Sequence, residues 1–319
     1  MSKGLYVGAD GIARKAKALY AGVDGIARKA IKGYIGDING IARQFWPNVI
    51  PLVLNYSGAH TVRTVTHNGV TYDEWALTGS GIMTVQGAGN VALWLCGGGA
   101  SGSGGDMSGD GGGGAFAMSG NVQLNAGDYA VTIGAGGAAR SITQYGQAGG
   151  QTTAFGLVAY GAAEGQYAAS QSGTGGGNGG YERYTGTVPV SLGDGLSKVP
   201  FDDTANHSAL CAGGGGGAYY YNHPNYRQRY VGGIGGSNGA DGGLVTAVNA
   251  TPAQSQGGAT GGGQGGSGST STINGTDATA PGSGGGGGGW YMSNYAVTTY
   301  GTGGAGAGGV VYLRVTAAA

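Results

Sequence analysis

The stretch Val91-Ala92-Leu93-Trp94-Leu95-Cys96-Gly97-Gly98-Gly99 is an apolar run that passes without a break into consecutive glycines. A short apolar run that ends in glycine is typical of a buried strand. The same succession of apolar run and glycine tract returns several times before the chain ends at residue 319. The fold therefore depends on what the glycine tracts do.

Glycine accounts for 79 of the 319 residues, against roughly 7% in ordinary proteins. Ordering so much glycine has a large cost in backbone entropy, which something must offset. A disordered chain would be poor in apolar residues and strongly charged. This chain has 20 Tyr, 40% apolar residues and a formal net charge of zero, so disorder fits it badly. Collagen is excluded because glycine does not recur at every third position.

The main glycine tracts lie at residues 97–99, 111–114, 175–177, 213–217, 261–263 and 284–289. Two structures are open to them. They are either flexible linkers or extended threefold helices of the polyglycine-II type, which lie side by side and exchange N–H···O=C bonds. Because the tracts are short and bounded by apolar runs, we favour packed helices.

Alternating β-branched residues predict strands at residues 61–66, 69–72, 81–85, 91–96, 129–133, 152–155, 157–160 and 310–315. We therefore predict an all-β chain, with N-terminal β-hairpin repeats followed by a β-sandwich-like domain with packed polyglycine-II-type segments and loops. The predicted regions are a hairpin-repeat attachment region at 1–46, a linker (47–55) and first β-strands at 47–90, and a glycine-rich β domain with aromatic loops at 91–319.

The first 46 residues contain an internal repeat. The run Leu5-Tyr6-Val7-Gly8-Ala9-Asp10-Gly11-Ile12-Ala13-Arg14-Lys15 recurs from Leu19 to Lys29, and a third copy with one inserted residue runs from Gly33 to Arg43. Each copy centres on Asp-Gly or Asn-Gly between short apolar-rich runs, which is a strong hairpin signal. The repeat predicts three β-hairpins or a short meander, and such small units need a partner to be stable.

Charge is divided unevenly along the chain. Residues 1–46 hold 8 basic and 3 acidic residues, a net of +5, and the remainder holds 7 basic and 12 acidic residues, a net of −5. The basic residues recur at one hairpin position without a nucleic-acid-binding signature, so we expect a partner-facing row and no nucleic acid. The predicted attachment residues are Tyr6, Arg14, Lys15, Tyr20, Arg28, Lys29, Tyr34 and Arg43.

Motifs for catalysis are weak throughout the sequence. No Gly-Lys pair exists for a phosphate-binding loop, and the four histidines have no zinc spacing. Asp106 and Asp110 are expected to be solvated turn residues, with a Ca²⁺ site as the alternative. Cys96 and Cys211 are expected to be buried thiols, with a disulfide as the alternative. We predict no enzyme, no cofactor, no metal and no membrane insertion, since no apolar run approaches the length of a spanning helix.

Aromatic residues interrupt the later glycine tracts in three clusters, at 181–184, 219–230 and 290–295. They combine Tyr and Trp with Asn, Arg and His, a mixture typical of binding loops. The alternative is that the rings cap the glycine layers and supply core. The predicted receptor-binding residues are Tyr219, Tyr220, Tyr221, Tyr226, Arg227, Arg229, Tyr230, Trp290, Tyr291 and Tyr295.

The order of these segments resembles the glycine-rich domain of phage tail and fibre proteins. The resemblance rests on the strand that enters glycines at 91–99, on Leu124-Asn125-Ala126-Gly127-Asp128-Tyr129 with the following Gly134-Ala135-Gly136-Gly137, and on 149–156 and 303–313. The N-terminal Tyr-x-Gly-x-Asp-Gly-x-Ala-Arg-Lys repeat is similar to repeats in phage structural proteins.

The resemblance implies a virion protein that is assembled in the host cytoplasm. We expect a tail or fibre adhesin that binds a host surface glycan or protein and that attaches to other virion proteins through residues 1–46. The alternative is a purely structural tail, baseplate, head-decoration or head-fibre subunit without receptor contact. Because fibres are commonly cyclic oligomers, we expect a homo-oligomer, specifically a trimer.

Overall fold

The computed structural model describes residues 52–105, 109–162, 199–214, 217, 273–293 and 296–316, together with the strands that lie within 6–46, 181–192, 219–231 and 245–246. Within this part of the chain the longer regular elements are β-strands, and a short 3-10 turn lies at Pro200–Asp202.

The strands are numbered in chain order. The first six are β1 (Tyr6–Ala9), β2 (Ile12–Lys15), β3 (Tyr20–Val23), β4 (Ile26–Lys29), β5 (Gly33–Gly36) and β6 (Ala42–Trp46). They are followed by β7 (Val53–Tyr56), β8 (His60–His67), β9 (Val70–Leu77), β10 (Gly81–Gln86), β11 (Gly89–Cys96), β12 (Ala117–Leu124), β13 (Gly127–Thr132), β14 (Thr152–Ala154) and β15 (Leu157–Ala159). The last eight are β16 (Tyr181–Tyr184), β17 (Pro189–Leu192), β18 (Tyr219–His223), β19 (Tyr226–Val231), β20 (Val245–Thr246), β21 (Trp290–Ser293), β22 (Ala296–Tyr300) and β23 (Val310–Thr316).

The N-terminal repeat forms three separate two-stranded hairpins, which confirms the hairpin prediction and not the meander. In the first two hairpins Ala9 pairs with Ile12 and Val23 pairs with Ile26, and the Asp-Gly residues between them lie outside the described residues. The third copy has one inserted residue, yet Gly36 pairs with Ala42 as Gly8 pairs with Ala13. The repeat therefore keeps one pairing register in all three copies.

Two larger sheets form a sandwich. One has the order β15-β14-β13-β10-β7 and the other the order β17-β16-β12-β11-β23-β9-β8. Residues with alternating spacing on both sheets meet in a shared core, which includes Leu77, Met83, Leu93, Leu124 and Leu313. Each of these side chains is 0–1% exposed, and full burial of such a side chain contributes roughly 1.5–3 kcal/mol. The predicted β-sandwich-like fold is confirmed.

The seven-stranded sheet is also covered on its other face. Successive residues of a strand point to opposite faces, so Trp94 and Cys96 lie on the face opposite Leu93 and Leu95. There they pack with Val310 and Cys211, and Phe201 and Leu210 add to this second cluster. The segment 199–214 therefore acts as a third layer.

The predicted strands are all present, with boundaries shifted by a few residues. Two points differ from the prediction. The segment expected to be a linker, 47–55, contains the start of β7, which pairs with β10 at the edge of the sandwich. Strand β12 was missed because Gly120 and three polar residues interrupt its apolar pattern, although it pairs along its whole length with β11.

Candidate functional site

The segment 97–105 lies at the centre of the glycine tracts and hydrogen-bonds in three directions in turn. The amides of residues 97, 100 and 103 donate to the carbonyls of residues 116, 113 and 110. Those of residues 98, 101 and 104 donate to residues 150, 147 and 144, and those of 99, 102 and 105 donate to 307, 304 and 301. A donor direction that returns every third residue is the signature of a threefold extended helix. The predicted polyglycine-II-type packing is present.

The same segment also accepts hydrogen bonds from other tracts. Gly285 and Gly288 donate to Ala100 and Ser103, and Gly137 donates to Gly99. Elsewhere residues 301, 304 and 307 donate to 289, 286 and 283, again in steps of three. We call this set of mutually bonded segments the glycine lattice. Its hydrogen bonds offset the entropy cost of ordering glycine.

The close packing of backbones explains why the lattice needs glycine. A Cβ atom on Gly102 would lie 2.7 Å from the amide nitrogen of Gly287 and still closer to the carbonyl of Gly286. Small side chains are accommodated only at some positions of the central segment. Two of these, Ser101 and Ser103, use their hydroxyls to accept hydrogen bonds from the amides of Gln147 and Gly146.

The lattice connects the sandwich to a third sheet. At one end its segments continue β11, precede β12 and lead into β23. At the other end Gly217 and Gly289 lead into β18 and β21, and β22 returns to the lattice at Gly301. These end residues are bonded to the lattice through the amides of Gly217, Gly289 and Gly301, at 2.7 Å each. The central segment 97–105 has nine residues, and nine residues of a threefold extended helix span about 28 Å.

The third sheet has the order β20-β19-β18-β21-β22 and is called the aromatic sheet. It consists of the hairpins β18–β19 and β21–β22, joined by parallel pairing of β18 with β21, and the short strand β20. The segments 219–230 and 290–295 were expected to be loops. That expectation is wrong for their described residues, since cross-strand pairing of aromatic and β-branched residues stabilises strands there.

Pairing in the aromatic sheet places four aromatic residues side by side. Tyr230 is opposite Tyr219, Tyr219 is opposite Trp290, and Trp290 is opposite Tyr300. We call these four residues the aromatic row. The rings of Trp290 and Tyr300 are stacked, with centroids 6.5 Å apart and planes at 23°.

Nine of the ten predicted receptor-binding residues lie in the aromatic sheet, and Tyr295 lies outside the described residues. Directly paired residues share a face and neighbours along a strand do not, so the nine are divided. Tyr220, Tyr291 and the two arginines Arg227 and Arg229 belong to the face opposite the aromatic row. Tyr300 was missed because it stands alone in its sequence segment. The aromatic cluster 181–184 forms β16, which pairs with β12 at the sandwich instead.

The predicted attachment residues all lie in the N-terminal hairpins. Arg14, Arg28 and Arg43 take equivalent positions opposite Val7, Ala21 and Ile35. Each repeat tyrosine pairs with a lysine in the first two copies, and Tyr34 pairs with Gln44 in the third. The three arginines therefore occupy the same pairing position in each separate hairpin, and their role in attachment stays a prediction.

A buried ionic cluster ties the segment 199–207 to the seven-stranded sheet. Arg314 donates through Nε to Glu74, 2.7 Å away, and through Nη2 to Asp203, also at 2.7 Å. His207 Nε2 lies 2.9 Å from the same Glu74 carboxylate, and Arg63 donates to its other oxygen. Arg314 and both carboxylates are 1–3% exposed. Buried charges are tolerated only when paired in this way.

The cluster keeps its two acids ionised. Burial alone would raise the pKa of Glu74, but hydrogen bonds from His207, Arg63 and Arg314 outweigh burial and lower the pKa to about 2. Burial likewise acts to raise the pKa of Asp203, and its hydrogen bonds with Asn206 and Arg314 lower it well below the usual range. Sequence analysis missed the cluster because its members are far apart along the chain.

Two further predictions have clear outcomes. Cys96 and Cys211 are both buried thiols, as favoured, and both sulfur atoms lie beside Gly282. Asp110 is 1% exposed, so the expectation of a solvated turn residue is wrong for it, because the lattice surrounds it. Asp106 lies outside the described residues.

Within the described ranges, no three His, Cys, Asp or Glu side chains gather as a metal site would require. The described residues also include no helix of the length and apolarity needed to cross a membrane.

A family model described as a glycine-rich domain matches residues 77–316. The chain belongs to this glycine-rich domain family. The match begins at the last residue of β9 and ends at the last residue of β23, so it covers the central strands of the seven-stranded sheet, the glycine lattice and the aromatic sheet. The N-terminal hairpins precede the glycine-rich domain. A search of curated proteins finds no match to the chain.

Proposed function

We propose that this protein is a structural component of a bacteriophage particle, and that as a tail or fibre adhesin it contacts the surface of the host cell. The proposal is carried by one observation: the glycine lattice places the aromatic sheet at the end opposite the sandwich. Binding residues on a rigid scaffold lose little entropy when a ligand binds. The lattice suits a spacer that holds a recognition surface away from its attachment point.

The N-terminal hairpins are the proposed attachment point to other virion proteins. A two-stranded hairpin is marginally stable alone, and three copies with one register present equivalent basic residues at Arg14, Arg28 and Arg43. Residues 1–46 have a net charge of +5, which favours an acidic partner surface. We propose a trimer, in which each chain contributes three hairpins for attachment and one aromatic sheet for host contact.

Location on the particle is the first test. Purified phage particles from a lysate that expresses this chain are labelled with gold-conjugated antibodies to it and imaged by electron microscopy. We expect label at the host-facing end of the tail, and competition by the soluble protein should slow phage adsorption to cells. Label confined to the head would overturn the adhesin proposal in favour of a head-decoration or head-fibre role, and particles without label would exclude a virion location.

Attachment is tested by charge reversal. The triple variant Arg14→Glu, Arg28→Glu and Arg43→Glu reverses the charge of one arginine in each hairpin. The control replaces Lys3, Lys17 and Lys32 with glutamate, and these three residues lie in the same segment outside the named strands. Both variants change the net charge equally. We expect the first to be lost from purified particles and the second to be retained. Equal incorporation of the two variants would show that the hairpin register does not carry attachment.

A further inference from the structure

We propose that the aromatic row binds an uncharged polysaccharide, whose successive sugar rings lie across the strands of the aromatic sheet. The inference rests on the proposed contact with the host surface and specifies its ligand. It starts from the backbone register, which brings together aromatic residues from segments about seventy residues apart: Tyr230, Tyr219, Trp290 and Tyr300 occupy one row of paired positions across four adjacent strands.

The spacing of the row is regular because neighbouring strands lie about 4.8 Å apart. Four strands therefore space the four backbone positions of the row over about 14 Å, perpendicular to the strand direction. A pyranose ring has one face made of C–H groups and a rim of hydroxyls. A polymer of such rings presents flat apolar faces at a regular interval, which matches a row of flat aromatic rings in a way that an irregular protein surface does not.

The residues that share a face with the row have the polarity that a sugar polymer needs. Alternate positions along β18, β19 and β21 add Tyr221, His223, Tyr226, Gln228 and Met292 to that face. Tyr, Gln and His supply hydrogen-bond partners for hydroxyls. None of these residues is Asp, Glu, Lys or Arg.

The positions of the arginines argue against a nucleic acid as the ligand of the aromatic row. Aromatic platforms that stack nucleobases are accompanied by cations that follow the phosphate backbone. In the aromatic sheet Arg227 and Arg229 pair with Asn222 and Tyr220, so both belong to the face opposite the aromatic row. An uncharged ligand is therefore the better match to the row.

The glycine lattice supports the proposal by holding the strands at fixed positions. Trp290 follows Gly289 directly, and Tyr300 precedes Gly301 directly, and these two glycines are hydrogen-bonded to each other at 2.7 Å. The stacked residues Trp290 and Tyr300 are thus each joined directly to a segment of the lattice. A preorganised row avoids part of the entropy cost of ordering side chains on binding.

The test uses the purified full-length chain and a panel of cellohexaose, chitohexaose and the capsular and O-chain polysaccharides of the host bacterium. Binding is measured by isothermal titration calorimetry. We expect at least one neutral glycan to bind, and the dissociation constant to be insensitive to salt, because an uncharged ligand is not screened.

Adjacent tyrosines provide a matched pair of variants. Tyr219→Ser removes a ring from the row, whereas Tyr220→Ser removes a ring from the next position of the same strand, on the other face. We expect Tyr219→Ser to weaken binding about tenfold and Tyr220→Ser to weaken it less than about twofold. Trp290→Ser and Tyr291→Ser repeat the comparison on β21. Thermal unfolding of each variant shows whether the sheet is retained.

The outcomes separate this inference from the proposed function. Equal losses from Tyr219→Ser and Tyr220→Ser, or no binding to any glycan of the panel, would overturn the polysaccharide proposal. If the protein still slowed phage adsorption and instead captured a purified outer-surface protein, host contact would stand and the glycan assignment would be wrong. If glycans bound but the particles carried no label, the ligand assignment would stand without the adhesin role.

Discussion

Substitution of Gly102 by alanine tests whether the glycine lattice is a packed structure. The new Cβ would lie 2.7 Å from the amide nitrogen of Gly287 and closer still to the carbonyl of Gly286. Real Cβ atoms essentially never come within 3.0 Å of another heavy atom in this way. Since both neighbours are backbone atoms, no side chain can rotate away, and two lattice segments must separate.

The loss in the free energy of unfolding follows from the contacts that break when the two lattice segments separate. Overpacking a well-packed interior costs about 1–3 kcal/mol. Moving the segments also weakens the bond from the amide of Gly102 to Gly304, at 3.0 Å, and the bond from Gly304 to Gly286, at 2.8 Å. At about 1 kcal/mol for each bond, the free energy of unfolding should fall by roughly 3–5 kcal/mol. For a domain of this size the melting temperature should fall by roughly 10 °C.

Gly308→Ala is the matched control. The nearest atom to its added Cβ is the Gly134 carbonyl oxygen at 3.5 Å, an ordinary contact, so we expect no loss and up to about 1 kcal/mol of gain from a less flexible unfolded chain. Both variants are measured by urea denaturation and by amide hydrogen exchange of residues 97–105. Equal stability of the two variants, or rapid exchange of these amides in the unaltered protein, would refute the packed lattice.

Three further predictions concern the sandwich. Arg314→Met should lower the free energy of unfolding by about 3–5 kcal/mol, because Glu74 and Asp203 are left buried without their cation; a loss below about 1 kcal/mol in urea denaturation would contradict this. The lowered pKa of Glu74, about 2 in the folded state, means that the unfolded state binds the proton first. The contribution of Glu74, about 3 kcal/mol, should be complete above about pH 5 and should fall as pH drops toward 2; Glu74→Gln should have a flatter stability curve from pH 5 to 3. The two buried cysteines should react with a thiol reagent only on unfolding, and fast labelling of the folded protein would contradict their burial.

Local chemistry made much of the chain predictable. Asp10-Gly11 between apolar runs was enough to predict the first hairpin, because a tight turn requires residues that tolerate positive φ. The strand at 91–96 was predicted from its apolar residues and confirmed as part of β11. Polyglycine-II-type packing was favoured over flexible linkers because the tracts are short and bounded by apolar runs, and packed glycine satisfies its amides through neighbouring backbones.

The sequence indicated most residues of the candidate site, but it did not indicate that they lie in strands of one sheet. Nine of the predicted binding residues lie in strands where loops were expected, because the pairing of β18 with β21 joins segments on either side of a long intervening sequence. Tyr300 pairs with Trp290 in the β21–β22 hairpin, and the β18–β21 pairing brings these two residues beside Tyr219 and Tyr230. The ionic cluster was missed for the same reason: Arg314 meets Glu74 through the pairing of β23 with β9.

By itself, the sequence determined the kinds of structure in this protein: hairpins where Asp-Gly stands between apolar runs, strands where β-branched residues alternate, and extended packed segments where glycine dominates. Tertiary structure alone decided which glycine segment lies beside which, which face of each strand is buried, and which aromatic residues stand in one row. The physical reason is that glycine has no side chain to specify a neighbour. The partners in the lattice are set by the strands that flank its segments, which only the folded chain brings together.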